Sequence, residues 1–259
     1  MSELHATLLG ESGVDLLILH GFLGMGDNWK TLGKKWAEKG FRVHLIDQRN
    51  HGRSFWDHRF DYAAMAADLE AYRQKNGVGQ CIVLGHSMGG KTAMYWACQH
   101  PEELLGLLVA DIAPKSYPSH HQAILKGLAS LDFSQLSSRK AVDAALASYI
   151  PDWSFRQFLL KNIYWVEPGQ LGLRINIEVL KQAGPAVGAP LPVDFVCPKP
   201  TLFLRGVRSG YIEDQDQLLI QHHFPNAQIK DIAHAGHFLH AENPQQFSQE
   251  FLYWVEQLL

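Results

Sequence analysis

Residues 85–89 read Gly85-His86-Ser87-Met88-Gly89. They lie between an apolar run, Cys81-Ile82-Val83-Leu84, and a helical stretch, Gly90-Lys91-Thr92-Ala93-Met94-Tyr95-Trp96-Ala97. G-x-S-x-G between a strand and a helix is the pattern of a nucleophile elbow. A strand that turns sharply into a helix forces strained dihedrals on the serine. The helix then passes so close to the strand that glycine is needed at positions 85 and 89, where a Cβ would clash. The turn lifts the Ser87 hydroxyl into a cleft, and the helix N-terminus offers N–H groups and partial positive charge to a developing oxyanion. Without those flanks the same five residues would be an ordinary tight loop.

The strand pattern extends on both sides of the elbow. Leu16-Leu17-Ile18-Leu19 is a continuous apolar run of strand length, Phe41–Ile46, Leu104–Ala110 and Thr201–Leu204 read as further strands, and Ala227–Ile232 reads as a short one. Runs apolar throughout indicate strands buried on both faces. Between them, helical spacing covers 28–39, 61–72, 214–224 and a last helix from Asn243-Pro244 through Trp254 and Leu258. Apolar strands alternating with helices give βαβ units, an α/β fold and a mostly parallel sheet. Ligands of such sheets sit beyond the carboxyl ends of the strands. His20, Asp47, Ser87, Asp111 and Arg205 follow those ends.

From Pro114 the buried-strand signal stops until about Pro200. Helical patterns at 119–131, 137–149 and 155–163, with many aromatic residues, mark a mostly helical insertion. Gly184-Pro185, Gly188, Pro190, Pro192, Pro198 and Pro200 close it as a linker. The expected division is a core of 1–113 and 199–259 and a cap of 114–198.

The 259 residues can bury a sizeable core, and the formal charge of −3 gives no basic field for nucleic acid. Cys81, Cys98 and Cys197 are too few and too scattered for a disulfide framework or a zinc site. Reduced thiols in a reducing, cytoplasmic compartment are expected. The first residues lack the basic start and apolar run of a signal peptide, and no apolar stretch reaches the ~20 residues of a membrane span.

A serine hydroxyl needs a base within hydrogen-bond reach. His237 follows the last strand, on the sheet edge that carries the elbow, and is the expected base, with His234 and His240 as alternatives. Read as metal ligands, these three histidines lack a spacing that would place them around one ion, and no carboxylate or cysteine pattern joins them, so no metal is expected. Two N–H donors for an oxyanion are expected from Met88, after the nucleophile, and from Phe22, after His20-Gly21. Asp47, Arg49, His51 and Arg53 read as a polar network that pins its own loop, the alternative being a cleft-edge site for a polar group. Arg205 and Arg208 read as solvated arginines.

His20-Gly21-Phe22, Gly85-His86-Ser87-Met88-Gly89 and Ala235-Gly236-His237, in that order, resemble the α/β-hydrolase family. The resemblance implies a mostly parallel, eight-stranded-type sheet with helices on both faces and a helical cap. In most of that family the triad acid follows the penultimate strand in a Gly-x-x-Asp turn. Here the turn reads Gly206-Val207-Arg208-Ser209, and serine cannot carry the charge. Asp214 and Asp216 lie downstream but start a helix, where acids serve as caps. Asp111, at the end of the strand after the elbow helix, is the other candidate and the preferred one.

Asp47-x-Arg49-Asn50-His51-Gly52-x-Ser54, Gly85–Lys91, Asp111-Ile112-Ala113-Pro114 and Ser209-x-Tyr211 are similar to the YbfF-type esterases and their eukaryotic relatives. In that group the acid follows the strand after the elbow helix. The resemblance implies a serine esterase or thioesterase acting on short to medium acyl esters through Ser87, His237 and Asp111, without a cofactor. Candidate substrate contacts are His20 and the cap aromatics Trp153, Phe158 and Trp165; for each aromatic the alternative is the cap's own core. The fold also hosts C–C hydrolases and elimination enzymes on the same triad, and non-catalytic ligand-binding proteins. The chain's oligomeric state is not legible in the sequence.

Overall fold

The computed structural model describes residues 3–119 and 121–259. Met1 and Ser2, part of the start read for a signal, and His120, inside the helix expected over 119–131, lie outside the described residues. The chain opens with β1 (Ala6–Leu9) and β2 (Val14–Leu19), then α1 (Lys30–Ala37), β3 (Phe41–Ile46), α2 (Tyr62–Lys75), β4 (Cys81–His86), α3 (Met88–Gln99) and β5 (Leu104–Ala110). Next come α4 (Gln122–Ala129), α5 (Arg139–Leu146), α6 (Trp153–Leu160), β6 (Ile163–Glu167), β7 (Gln170–Leu173), α7 (Ile177–Leu180) and α8 (Gly184–Gly188). It ends with β8 (Thr201–Gly206), α9 (Gln217–His223), β9 (Ala227–Ile232), α10 (Leu239–Glu242) and α11 (Pro244–Val255).

Seven strands form one sheet in the order β1-β3-β2-β4-β5-β8-β9, with β1 antiparallel to β3 and every other neighbour parallel. The sheet is therefore one strand short of the eight expected, because a single four-residue strand precedes β2. The interior strands are buried on both faces, as their unbroken apolar runs require. In β2, Leu17 and Leu19 pack with Tyr72, Met94, Trp96 and Phe224 on one face. Leu16 and Ile18 pack with Trp36, Phe247 and Phe251 on the other. A third apolar cluster joins the 114–198 segment to Phe22, Met65 and Met88 at the carboxyl edge.

Register brings the elbow beside its neighbours. Leu19 pairs with Gly85 and His86 with Ala110, so His20, Ser87 and Asp111 leave adjacent strands at one level. The Ser87 amide donates to the Ala110 carbonyl at 3.0 Å and the Asp111 amide to that of Leu204 at 2.8 Å. The strand order reverses around β2, between β3 and β4, which is where α/β sheets open a crevice.

Among the described residues, the insertion between β5 and β8 holds five helices and the antiparallel hairpin β6–β7; α7 and the hairpin are absent from the sequence reading. Its strands carry Ile163-Tyr164-Trp165-Val166, good strand formers, and Pro168-Gly169 turns the chain with Gly169 at φ 88°. The helices expected over 137–149 and 155–163 appear as α5 and α6. Each is stopped at its N-terminus by a cap: the Ser138 Oγ accepts from the Ala141 amide and the Asp152 carboxylate from that of Phe155. The stretch read as a linker contains α8, with Pro185 in its first turn.

The glycine spacing of the elbow is a packing requirement. A Cβ on Gly85 would lie 2.2 Å from the Gly89 carbonyl oxygen, and one on Gly89 2.4 Å from that of Leu19. Gly89→Ala is expected to cost about 2 kcal/mol or more through overpacking against rigid backbone, read as a Tm loss of about 4 °C or more. Gly79→Ala, where a Cβ meets nothing within 4 Å, is expected to stay within about 0.5 kcal/mol. Equal Tm values for the two variants would contradict the steric account.

Candidate active site

Ser87 sits at φ 53° and ψ −119°, between the end of β4 and the first turn of α3. That strained backbone aims its hydroxyl at the imidazole of His237, with Oγ 3.0 Å from Nε2. The His237 Nδ1 lies 2.8 Å from Asp111 Oδ2. A carboxylate at Nδ1 fixes the proton there and leaves the Nε2 lone pair facing the serine. Asp111 is fully buried and also in the left-handed region, at φ 51°. Its charge is met by three donors: the His237 Nδ1–H, the Gly206 amide at 3.0 Å and the Ser209 hydroxyl. Ser209, at the usual acid position, thus donates to the acid that lies one strand over. Asp214 is bound to Arg205 at the surface, and Asp216 accepts from the Glu213 amide and from Lys115. Neither meets His237.

His237 is held from three sides. The Tyr211 ring stacks on it at 3.8 Å, and the His86 ring lies 4.8 Å away. The His86 Nε2–H also donates to the His237 carbonyl at 2.8 Å. The other two histidines of that loop serve elsewhere. His240 stacks on Trp29 at 4.1 Å, and the His234 carbonyl accepts from Arg208.

The turn after β2 lies against the elbow: a Cβ on Gly21 would come within 3.3 Å of the Ser87 Cβ. Among the described residues, no carbonyl or side chain accepts from the Phe22 or Met88 amide. The turn is pinned from behind. The His51 Nε2 accepts from the Leu23 amide at 3.1 Å, and the buried Asn162 amide group donates to the Leu23 carbonyl at 2.8 Å. His20, expected among the substrate contacts, is instead buried structure. Its Nδ1–H donates to the Gly21 carbonyl and its Nε2 accepts from the Gln48 amide. The Asp47–Arg53 loop does act as a pinning network. Asp47 accepts from the Gly26 and Arg53 amides, and Arg49 pairs with Asp68 at 2.6 Å.

A narrow cleft with about 20 Å³ of space open to water lies at Ser87, lined by Tyr62, Met88, Ile112, Tyr117, Val187 and Tyr211 among others. The expected aromatic lining differs. Trp153 and Trp165 are 62% and 53% exposed and lie outside that cleft. Phe158 packs on Phe238, beside His237, and lines a separate groove under α6. The three tyrosines were missed. Tyr117 and Tyr211 follow strand ends, and Tyr62 starts a helix, so position relative to the sheet edge would have been a better guide than aromatic density.

The sequence profile of the alpha/beta hydrolase fold family matches residues 16–136. The sn-1-specific diacylglycerol lipase ABHD11 of Mus musculus is 34% identical over 239 residues, covering 90% of this chain and 78% of the lipase. The chain belongs to the α/β-hydrolase family. Esterase YbfF of Escherichia coli is 31% identical, covering 88% of each chain. A solved marine microorganism esterase is 39% identical with a TM-score of 0.94, covering 98% of this chain and all of that one. These relatives mark the chain as a hydrolase of the esterase/lipase type. Among the described residues, no helix is long and apolar enough to cross a membrane.

Four buried histidines near the site, His20, His51, His86 and His240, are held toward the neutral form by burial. Burial pulls the pKa of His20 down to about 4. Burial, with repulsion from a neighbouring histidine, takes His51 and His240 to about 3. Burial also holds His86 well below the usual range. On unfolding each returns to about 6.5. Between about pH 6.5 and 4 the unfolded chain therefore binds more protons than the folded one, so this contribution to stability is lost as the pH falls. Tm is expected to drop steadily through that window, with unfolding near pH 5 taking up about two or more protons. A flat Tm profile would show that these imidazoles are not neutral and buried together.

Proposed function

We propose that the chain hydrolyses short to medium acyl esters or thioesters through an acyl-enzyme formed on Ser87. The observation that carries this reading is the unbroken run of hydrogen bonds from the Ser87 hydroxyl through His237 to buried Asp111, at the mouth of a small apolar cleft. In the proposed reaction Ser87 attacks the acyl carbonyl carbon while His237 Nε2 takes its proton. Asp111 holds the imidazole in the tautomer that can accept, then stabilises the imidazolium. The carbonyl oxygen, now negative, turns toward the Phe22 and Met88 amides. Collapse expels the alcohol or thiol, protonated by His237. Water, deprotonated by the same nitrogen, cleaves the acyl-enzyme. No cofactor enters these steps.

The cleft beside Ser87 is narrow and mostly apolar in its lining, which suits an acyl group once the lid gives way. Residues 114–198 act as the lid over the core of 1–113 and 199–259, and the face they turn to Ser87 carries Tyr117 and Val187. Lid motion gates access. The three free cysteines are in keeping with a reducing, cytoplasmic setting.

Hydrolysis of p-nitrophenyl esters over a series of acyl lengths tests the reading. Ser87→Ala is expected to lower kcat by at least about 10³-fold, and Asp111→Asn on the order of 10⁴-fold through the wrong His237 tautomer. Full turnover by Ser87→Ala would overturn the proposal. A wild type inert toward esters yet labelled at Ser87 by a fluorophosphonate would point to C–C hydrolysis or elimination. Absence of labelling would point to a ligand-binding role.

A further inference from the structure

Lys91 lies one turn into α3, four residues after Ser87, and is only 2% exposed. Among the described residues no carboxylate pairs with it, and burial pulls its pKa down to about 7. A lysine is costly to hold in such a place. Its Nζ donates to the Lys115 carbonyl at 2.7 Å, to that of Ala189 and, at 3.5 Å, to that of Gly188. It also sits over the rings of Tyr117 at 4.8 Å and Tyr62 at 5.8 Å. The Lys115 and Ala189 carbonyls take two of its protons and that of Gly188 lies at the limit of reach, so the head group is committed to main chain.

Those carbonyls belong to the two legs of the insertion. Lys115 is on the leg that leaves β5, and Gly188 and Ala189 are on the leg that returns toward β8. The legs also touch directly. The Tyr117 amide donates to Gly188 O and the Leu191 amide to Pro114 O, both at 2.9 Å. From α2, the Tyr62 hydroxyl donates to the Val187 carbonyl at 2.7 Å. The fit is close, since a Cβ on Gly188 would meet the Tyr117 carbonyl oxygen at 2.3 Å. Tyr62, Tyr117, Val187 and Gly188 are at once the parts of this neck and lining of the cleft at Ser87.

We infer that Lys91 is a positioning residue that sets acyl-chain specificity: it clamps the two legs of the insertion and so fixes the wall of the cleft that limits the length of the acyl group. The inference rests on the ester-hydrolase reading of that cleft. Lys91→Met keeps the length of the side chain and removes its donors. The Lys115 and Ala189 carbonyls are then stranded, and the legs part.

The test pairs two measurements on the full chain. With p-nitrophenyl esters from acetate to decanoate, Lys91→Met is expected to lose about 10-fold in kcat/KM on acetate while keeping or gaining on octanoate, which moves the optimum to longer chains. Hydrogen exchange at the Tyr117 and Leu191 amides is expected to speed up about 10-fold, with β4 and β5 unchanged. Tyr62→Phe, a milder change that frees the Val187 carbonyl, is expected to shift the profile in the same direction and covers the case in which Lys91→Met does not fold. A folded Lys91→Met with unaltered exchange overturns the clamp. Faster exchange with an unaltered chain-length profile overturns the specificity role. Exchange needs no turnover, so a wild type inert toward esters counts against the ester reading and leaves the clamp to be judged on exchange alone.

Discussion

The close approach of α3 to the ends of β2 and β4 is the constraint on which this molecule turns. It forces Ser87 to a positive φ and requires glycine at 85 and 89. It also sets the first amides of α3 beside the turn after β2. The parallel register carries the constraint outward. Because His86 pairs with Ala110, Asp111 leaves its strand level with Ser87, and it too bends through the left-handed region. Two neighbouring strands therefore end in strained residues. The strain is held in place by the sheet between two apolar layers.

Much of this was legible because burial on both faces writes itself into the sequence as unbroken apolar runs. Leu16–Leu19 and Cys81–Leu84 are such runs and lie within β2 and β4, and Leu104–Ala110 matches its strand end for end. Phe41–Ile46 and the largely exposed Ala227–Ile232 also match end for end, though both carry polar residues. β1 escaped because Ala6-Thr7-Leu8-Leu9 is short, lies at the sheet edge and is only partly buried, so it carries no comparable signal. The hairpin β6–β7 escaped because its aromatic and β-branched run sits in a segment dominated by helical spacing. In the site, Ser87 and His237 are local signals, one in the elbow and one in a loop after the last strand. Asp111 could be named only as an acid at a strand end. Its meeting with His237 spans 126 residues and depends on register. The tyrosines of the cleft are a still more collective product. Tyr62, Tyr117 and Tyr211 come from three separate stretches that only the folded neck assembles.

The polar interior follows the same logic of supporting a few backbone positions. His20, His51 and Gln48 spend their hydrogen bonds on the turn after β2, and Asn162 reaches that turn from the insertion. Such side chains look like site residues in a sequence, being polar groups near strand ends. In the fold they are buried and bound to main chain, while the side-chain oxygens of Gln48 and Asn162 have no partner among the described residues. Their chemistry is that of a frame, which leaves His237 as the histidine that faces Ser87 among the described residues.

The hydrogen bond from His86 to the His237 carbonyl has a mechanical meaning. His86 immediately precedes Ser87, so one covalent step separates Ser87 from the strut that grips His237. The opposite bank of the cleft is braced separately, by the hydrogen bonds that join the two legs of the insertion to each other and to Tyr62 and Lys91. The two banks are thus stiffened by independent struts.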